Sequence, residues 1–141
     1  MNIDAIKNGL VIDHIPAGES MTIYRLLHLD RLDCSVAIIK NVVSGKMGKK
    51  DIIKIDSTMD LNLDILGFIS PDITVNIIRN GERVEKKQLA LPEVLTGVLA
   101  CKNPRCITSV EQELPQRFKL TDREHKVYRC VYCETKVEIK R

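Results

Sequence analysis

Four cysteines constrain this chain more than any other feature. They occur as Cys101-Lys-Asn-Pro-Arg-Cys106 and Cys130-Val-Tyr-Cys133, with 23 residues between the pairs. Two close pairs separated by a loop suit a tetrahedral tetrathiolate zinc site. Each pair forms a turn that offers two sulfurs, and the intervening hairpin brings the turns together. The second pair has the commonest knuckle spacing; the first is longer, and Pro104 helps to bend it. Two disulfides are the competing use of four thiols. The N-terminus has no signal-peptide pattern, so a cytoplasmic location is expected, where thiols stay reduced. The expectation is one structural zinc per chain on Cys101, Cys106, Cys130 and Cys133. The fifth cysteine, Cys34, precedes a β-branched run and is expected to be a buried structural thiol.

The 141 residues have room for one domain or two small ones. Hydrophobic residues make up 44%, but aromatics only 4% and tryptophan is absent, so the core must be built from Ile, Leu and Val. No apolar run reaches about 18 residues, and no membrane span is expected. The formal charge of +3 counts the cysteines as neutral. A tetrathiolate zinc centre lowers it to about +1, so bulk charge gives no argument for nucleic acid. The basic excess lies late in the chain: residues 94–141 carry 10 basic and 6 acidic side chains. This leaves an alternative reading, a zinc ribbon that binds nucleic acid through Lys102, Arg105, Arg117, Lys119, Arg123, Lys126 and Arg129. Glu111, Glu113, Asp122 and Glu124 interleave with those residues, whereas a nucleic-acid face is more uniformly basic.

Ahead of the cysteines the chain alternates between two periods. Leu10–Ile15 reads as a strand, residues 18–29 as a short helix and Ser35–Val43 as a strand. Ser44–Gly48 is a loop and Asp51–Asp56 a further strand. Asp60 is placed to cap a second helix, in which Leu61, Ile65, Phe68 and Ile69 form one stripe and which Pro71 ends. Thr74–Ile78 and Arg83–Lys87 are strands joined by a turn at Asn80-Gly81. The order β-α-β-β-α-β with a terminal ribbon predicts an α+β, ferredoxin-like domain: an antiparallel sheet with both helices on one face and the other face open. The domain is expected over 1–93. A small β-rich zinc-binding domain is expected over 94–141, with short strands at Phe118–Leu120 and Val127–Cys130. So small a module has little core, and Val110, Leu114, Phe118 and Ile139 are its candidates for exposed contact groups.

No catalytic constellation emerges. The histidines, His14, His28 and His125, are widely spaced, and neither a dinucleotide-binding glycine motif nor a P-loop is present. The chain is expected not to be an enzyme. The first domain does place polar groups inside strands: Asp13 and His14, Lys50 and Lys54 (which share strand parity), Asn76, and Lys86 with Lys87. Ammonium groups suit phosphates and a carboxylate suits hydroxyls, which together fit a phosphorylated ligand carrying a ribose. Ordinary exposed positions on a half-solvated sheet are the other reading.

Residues Ala5-Ile-Lys-Asn-Gly-Leu-Val-Ile-Asp-His-Ile-Pro16, Ser44-Gly-Lys-Met-Gly-Lys-Lys-Asp-Ile-Ile-Lys-Ile55, Thr74-Val-Asn76 and Leu91-Pro-Glu93, followed by the two cysteine pairs, resemble the regulatory chain of aspartate carbamoyltransferase in order and over nearly the whole chain. The resemblance implies a non-catalytic subunit whose first domain binds nucleoside triphosphates of the CTP, UTP and ATP class as allosteric effectors. It also implies a zinc domain that grips the catalytic chain of a pyrimidine-biosynthetic enzyme, and regulatory dimers that link catalytic trimers. By position, it assigns Asp13 and Lys54 to ribose and base, and His14 and Lys86 to the phosphates. Ile6 offers its backbone to the base, and Lys50 and Asn76 complete the wall. Asp4, Ala5, Val11 and Ile78 line the pocket. Gly81 and Arg83 depart from the family pattern, which has tyrosine and valine there.

Overall fold

The computed structural model describes residues 6–111 and 113–137. It divides into two units, Met1–Ala90 and Leu91–Arg141. Asp4, Ala5 and Ile139 lie outside the described residues.

The first unit runs β1 (Gly9–Pro16), α1 (Ser20–Leu26), a 3₁₀ turn (Leu29–Arg31), β2 (Val36–Ser44), β3 (Gly48–Ile55), α2 (Leu63–Ile69), β4 (Thr74–Arg79) and β5 (Glu82–Gln88). The sheet order is β2-β3-β1-β4-β5, and every pair is antiparallel. This is the expected ferredoxin-like plan with one ribbon strand added beyond β4. Side-chain alternation divides the sheet into two faces. Leu10, Ile12 and Ile15 of β1, Ile53 and Ile55 of β3 and Val75 of β4 are buried together with the helical Ile23, Ile65, Leu66 and Ile69. Val11, Asp13, Lys50 and Lys54, on the opposite parity, are only half-buried.

The pairing of β1 with β3 is irregular at one point. Ile12 pairs with Ile53 and Ile15 with Asp51, so three steps on β1 match two on β3. The extra residue is His14, in the left-handed region at φ 57. This bulge returns Ile15 to the core and leaves Asp13 and His14 side by side off it. At the other end of β1, the backbone comes so close to β3 that a Cβ on Gly9 would lie 2.2 Å from the Ile55 carbonyl oxygen. Asn80 (φ 52) and Gly81 (φ 78) make the two-residue turn between β4 and β5.

Three sequence expectations need correction. The first helix is shorter than residues 18–29. It stops at Leu26, because His28 adopts φ 54 and the chain continues as a 3₁₀ turn. The second helix is capped by Asn62, not Asp60: the Asn62 Oδ1 accepts from the backbone N–H of Asp64 (3.1 Å) and Ile65 (3.3 Å). Both residue types cap well, so position decides, and Leu61 stands outside the helix. Cys34 is half-exposed rather than buried, since it precedes the edge strand β2 instead of lying within it.

The second unit contains β6 (Val94–Thr96), α3 (Ile107–Val110), β7 (Arg117–Asp122), β8 (Val127–Cys130) and β9 (Lys136–Val137), with sheet order β6-β7-β8-β9. Its buried side chains are few: Leu95, Phe118, Leu120, Tyr128, Thr108, Cys106 and Cys130. Phe118 is therefore a core residue, not a surface contact group, because it shares an inward parity with Leu120. Val110 is exposed as expected, Leu114 is half-buried, and Ile107, Val131 and Tyr132 are also exposed. The Tyr128 hydroxyl donates to the Pro92 carbonyl at 2.6 Å, and Glu93 accepts from the Leu120 N–H through its backbone and pairs with Arg123 through its side chain. Pro92 and Glu93 are thus tied to the second sheet.

In the first unit the carboxylate of Asp51 is fully buried. Burial pushes its pKa up, but the nearby Ser20 hydroxyl and the backbone N–H groups of Asn41, Gly18 and Ser20 more than offset this and hold it below the ordinary value of 3.8. Those N–H groups belong to the β1–α1 turn and to the irregularity in β2, so one side chain secures two non-ladder segments (3.1 Å to Gly18, 3.4 Å to Ser20, 3.0 Å to Asn41). Asp51→Ala strands these donors, and we expect a loss of roughly 2–4 kcal/mol in urea unfolding followed at neutral pH. Because the folded-state pKa is the lower one, the contribution is complete above the ordinary value of 3.8 and is lost as pH falls through the folded value. The gap between wild type and variant should close in acid; a gap independent of pH refutes the assignment.

Candidate functional site

The four paired cysteines converge. Their Sγ atoms all lie within 4.8 Å of one another, with Cys101–Cys133 at 3.6 Å and Cys106–Cys130 at 3.7 Å. A tetrahedron with metal–sulfur bonds of ~2.3 Å has edges of ~3.8 Å, so the sulfurs already stand at the spacing a four-coordinate ion demands. The structure joins none of the five cysteines in a disulfide, and convergence of all four paired sulfurs on one point favours a shared ion over two separate bridges. Local chain geometry explains the convergence. The Cys106 N–H donates to the Asn103 carbonyl (3.0 Å), which closes the first turn, and the Glu134 N–H donates to the Cys130 carbonyl (2.9 Å), which closes the second. Strand β8 then carries Cys130 opposite Phe118 of β7.

The thiols differ electrostatically. Burial pushes Cys101 up to about 12 and raises Cys130, whereas the hydrogen bond with Thr135 draws Cys133 down to about 6. A metal binding here must displace protons, so its affinity falls as pH falls. With two ligands buried and two half-buried, the set suits an ion fully enclosed by sulfur rather than one with an open coordination position.

The open face of the first sheet gathers the polar strand residues. Cα partners run Lys54–Val11–Asn76–Lys86 across four strands. At ~4.8 Å per strand this row spans roughly 14 Å. The next row holds Asp13 opposite Thr74, and Lys50 reaches Asp13 Oδ1 at 2.9 Å. His14 Nδ1 lies 3.1 Å from Thr74 Oγ1, and the His14 N–H donates to Asp13 Oδ1 at 2.6 Å. Burial raises the Asp13 pKa, but the hydrogen bonds from Lys50 and the His14 N–H, with the charges of both residues, bring it below the ordinary value. The group is a carboxylate throughout the neutral range. Asn76 is buried; its amide donates to the Val11 carbonyl at 3.4 Å, and its Oδ1 has no hydrogen-bond partner among the described residues. Such a buried acceptor suits an N–H or O–H arriving from a ligand.

Ile6 is half-buried just ahead of β1. Its neighbours Lys7 and Asn8 accept from the N–H groups of Gly81 and Asn80, at 2.9 and 3.2 Å. This segment therefore borders the β4–β5 turn, at the end of the face where Ile78 pairs with Arg83. A bulge at Val84 gives Arg83 the parity of Lys86, so a second cation belongs to this face. Sequence reasoning missed Thr74, Thr108 and Thr135. Thr74 shares the parity of Asn76 and could have been found that way; the other two lie two residues beyond a cysteine, a spacing too common to signal anything.

Two family models match the chain. The one described as aspartate carbamoyltransferase regulatory chain, allosteric domain, covers residues 1–90, and the one described as its metal binding domain covers residues 93–141. An aspartate carbamoyltransferase regulatory chain from Clostridium botulinum is 49% identical over 134 residues, covering 95% of this chain and 92% of the relative. One from Clostridium acetobutylicum is 48% identical with the same coverage. One from Bifidobacterium longum is 43% identical over 139 residues, covering 99% of this chain and 100% of the relative. A sheet with one polar open face, joined to a module closed on four sulfurs, is thus matched along both of its parts, and the chain belongs to the family of aspartate carbamoyltransferase regulatory chains, which are regulatory rather than catalytic and have a catalytic chain as their partner.

Proposed function

We propose that this chain carries nucleoside triphosphates of the CTP, UTP and ATP class on the open face of its first unit, holds one structural zinc in its second, and links catalytic trimers as a regulatory dimer in cytoplasmic pyrimidine biosynthesis. The observation that carries the nucleotide reading is the row Lys54–Val11–Asn76–Lys86 beside the Asp13–Lys50 pair. Asp13 accepts from the ribose, with Lys54 beside it at the base. Asn76 offers its unused oxygen, Lys50 holds Asp13 ionised, and His14 and Lys86 meet the phosphates. Ile6 presents backbone to the base. Lys54, Lys86 and Arg83 have no anionic partner among the described residues, so the face is short of negative charge. Gly81 is left-handed, and among the described residues nothing lies within 4 Å of its missing Cβ.

Zinc is preferred over other thiolate-bound ions because a closed set of four cysteines is its commonest structural site. The nucleic-acid alternative is not favoured. Two of its basic residues are already engaged, Arg123 by Glu93 and Arg129 by the Glu134 carbonyl.

Calorimetric titration of CTP and ATP tests the first part. Lys86→Ala should weaken triphosphate binding about tenfold or more while leaving the nucleoside unaffected, because a charge-assisted hydrogen bond is worth ~1.5–3 kcal/mol. Asp13→Ala should weaken every ribonucleotide regardless of phosphate number. Wild-type affinities in both variants place the nucleotide elsewhere.

Metal analysis should give one zinc per chain, and Cys130→Ala should lose the fold of the second unit while the first, with its own core, persists. Amide exchange distinguishes the two halves, and a protected second unit in that variant refutes the assignment. Chelation of the assembled enzyme should release catalytic trimers in gel filtration. A zinc-free complex that stays intact shows that the metal module does not hold the catalytic chain.

A further inference from the structure

One sulfur in each cysteine pair has a threonine hydroxyl 3.1 Å away: Thr108 Oγ1 beside Cys106 and Thr135 Oγ1 beside Cys133. The second of these belongs to a longer chain of contacts. Asn103, inside the first cysteine turn, has its Nδ2 3.3 Å from Thr135 Oγ1. The direction of that contact is set by the other end of the amide. Asn103 Oδ1 accepts from the Arg105 N–H at 3.0 Å, which leaves Nδ2 facing Thr135 as a donor. The Asn103 backbone carbonyl accepts from the Cys106 N–H and from Ser109 Oγ, both at 3.0 Å, so the residue is built into its turn. Thr135 is fixed as well, because its carbonyl accepts from the Cys130 N–H at 3.0 Å.

A metal-bound cysteine is a thiolate and can only accept. With Asn103 donating to its oxygen, Thr135 then directs its single hydroxyl proton to Cys133 Sγ. The result is a donor relay that starts in the first cysteine turn and ends on a sulfur of the second. It joins the two turns without passing through the ion. Thr108 supplies the matching donor to a sulfur of the first pair.

We propose that Asn103, Thr135 and Thr108 are positioning residues of the metal centre, which hold the two cysteine turns in register and partly neutralise the charge that four thiolates concentrate on one ion. The relay rests on the zinc reading of the four cysteines. Outer contacts of this kind typically govern metal affinity by 10–100-fold.

The test uses the full-length chain loaded with Zn²⁺, and separately with Co²⁺. Thr135→Val keeps the side-chain shape and removes the donor. It should transfer zinc to a colorimetric chelator about tenfold faster than wild type. In the Co²⁺ form its sulfur-to-metal charge-transfer band should move to lower energy, because a sulfur that has lost a hydrogen bond gives up charge more readily. Thr135→Ser should restore both readouts. Asn103→Ala should speed transfer in the wild-type background as well, since it also removes the acceptor of the Arg105 N–H. A Thr135→Val chain with the wild-type rate and band position overturns the proposal. If Thr135→Val does not fold, Thr108→Val carries the same expectation on the other pair, and an unmoved band there overturns it. A wild-type chain that takes up neither ion removes the zinc reading itself; a loaded wild type with indifferent variants removes only the relay.

Discussion

Closure of four sulfurs on one point is what the second unit depends on. Among the described residues its apolar core is Leu95, Phe118, Leu120 and Tyr128, beside Cys106 and Cys130. Such a core is too small to hold two turns and four short strands by burial alone. The turns are local structures, each closed by its own backbone hydrogen bond, and nothing in the strand ladder forces them together except that β8 runs into one of them. A shared ion does so directly. Apolar groups outside the sulfur cluster, such as Val110 and Tyr132, remain exposed.

The first unit solves a different problem. Its helices cover one face of the sheet completely enough that Ile12, Ile15, Ile53, Ile55 and Leu66 have no exposed surface. The other face carries Asp13, Lys50, Lys54 and Lys86 among Val11 and Ile78, and β-sheet parity keeps them off the core. Of the cations on that face, Lys50 is already held by Asp13 at 2.9 Å, whereas Lys86 is exposed. The strand ladder fixes the backbone separation of Lys54 and Lys86, while the reach of each ammonium group depends on its rotamer.

What the sequence reveals depends on the range over which each feature is determined. The cysteine pairs and the Asn80-Gly81 turn are legible because their chemistry lies within a few residues. The strands are legible from β-branched alternation. Helix ends are less so: Asn62 and Asp60 are equally good caps by type, and the left-handed His28 that ends the first helix has no local marker. Phe118 is misleading in sequence because a three-residue strand gives parity without saying which parity faces inward. The candidate nucleotide face is legible only residue by residue. That Lys54, Asn76 and Lys86 form one row follows from strand register, and two of its three pairings join Val11 to residues far along the chain. The relay from Asn103 to Cys133 has no sequence signal at all, since it joins two turns separated by the whole hairpin.

The bulge in β1 separates heredity of the fold from heredity of the site. His14 is the one residue in that strand that the ladder does not count, because the pairings at Ile12 and Ile15 would meet in regular register without it. Loss of a β1 residue away from the bulge would shift the rest of the strand by one position and turn its isoleucines outward. Loss of His14 would instead straighten the ladder and leave the core intact. A lineage could therefore lose this residue through a single-codon deletion and keep a folded first unit, so its presence answers to the open face of the sheet and not to the core beneath it.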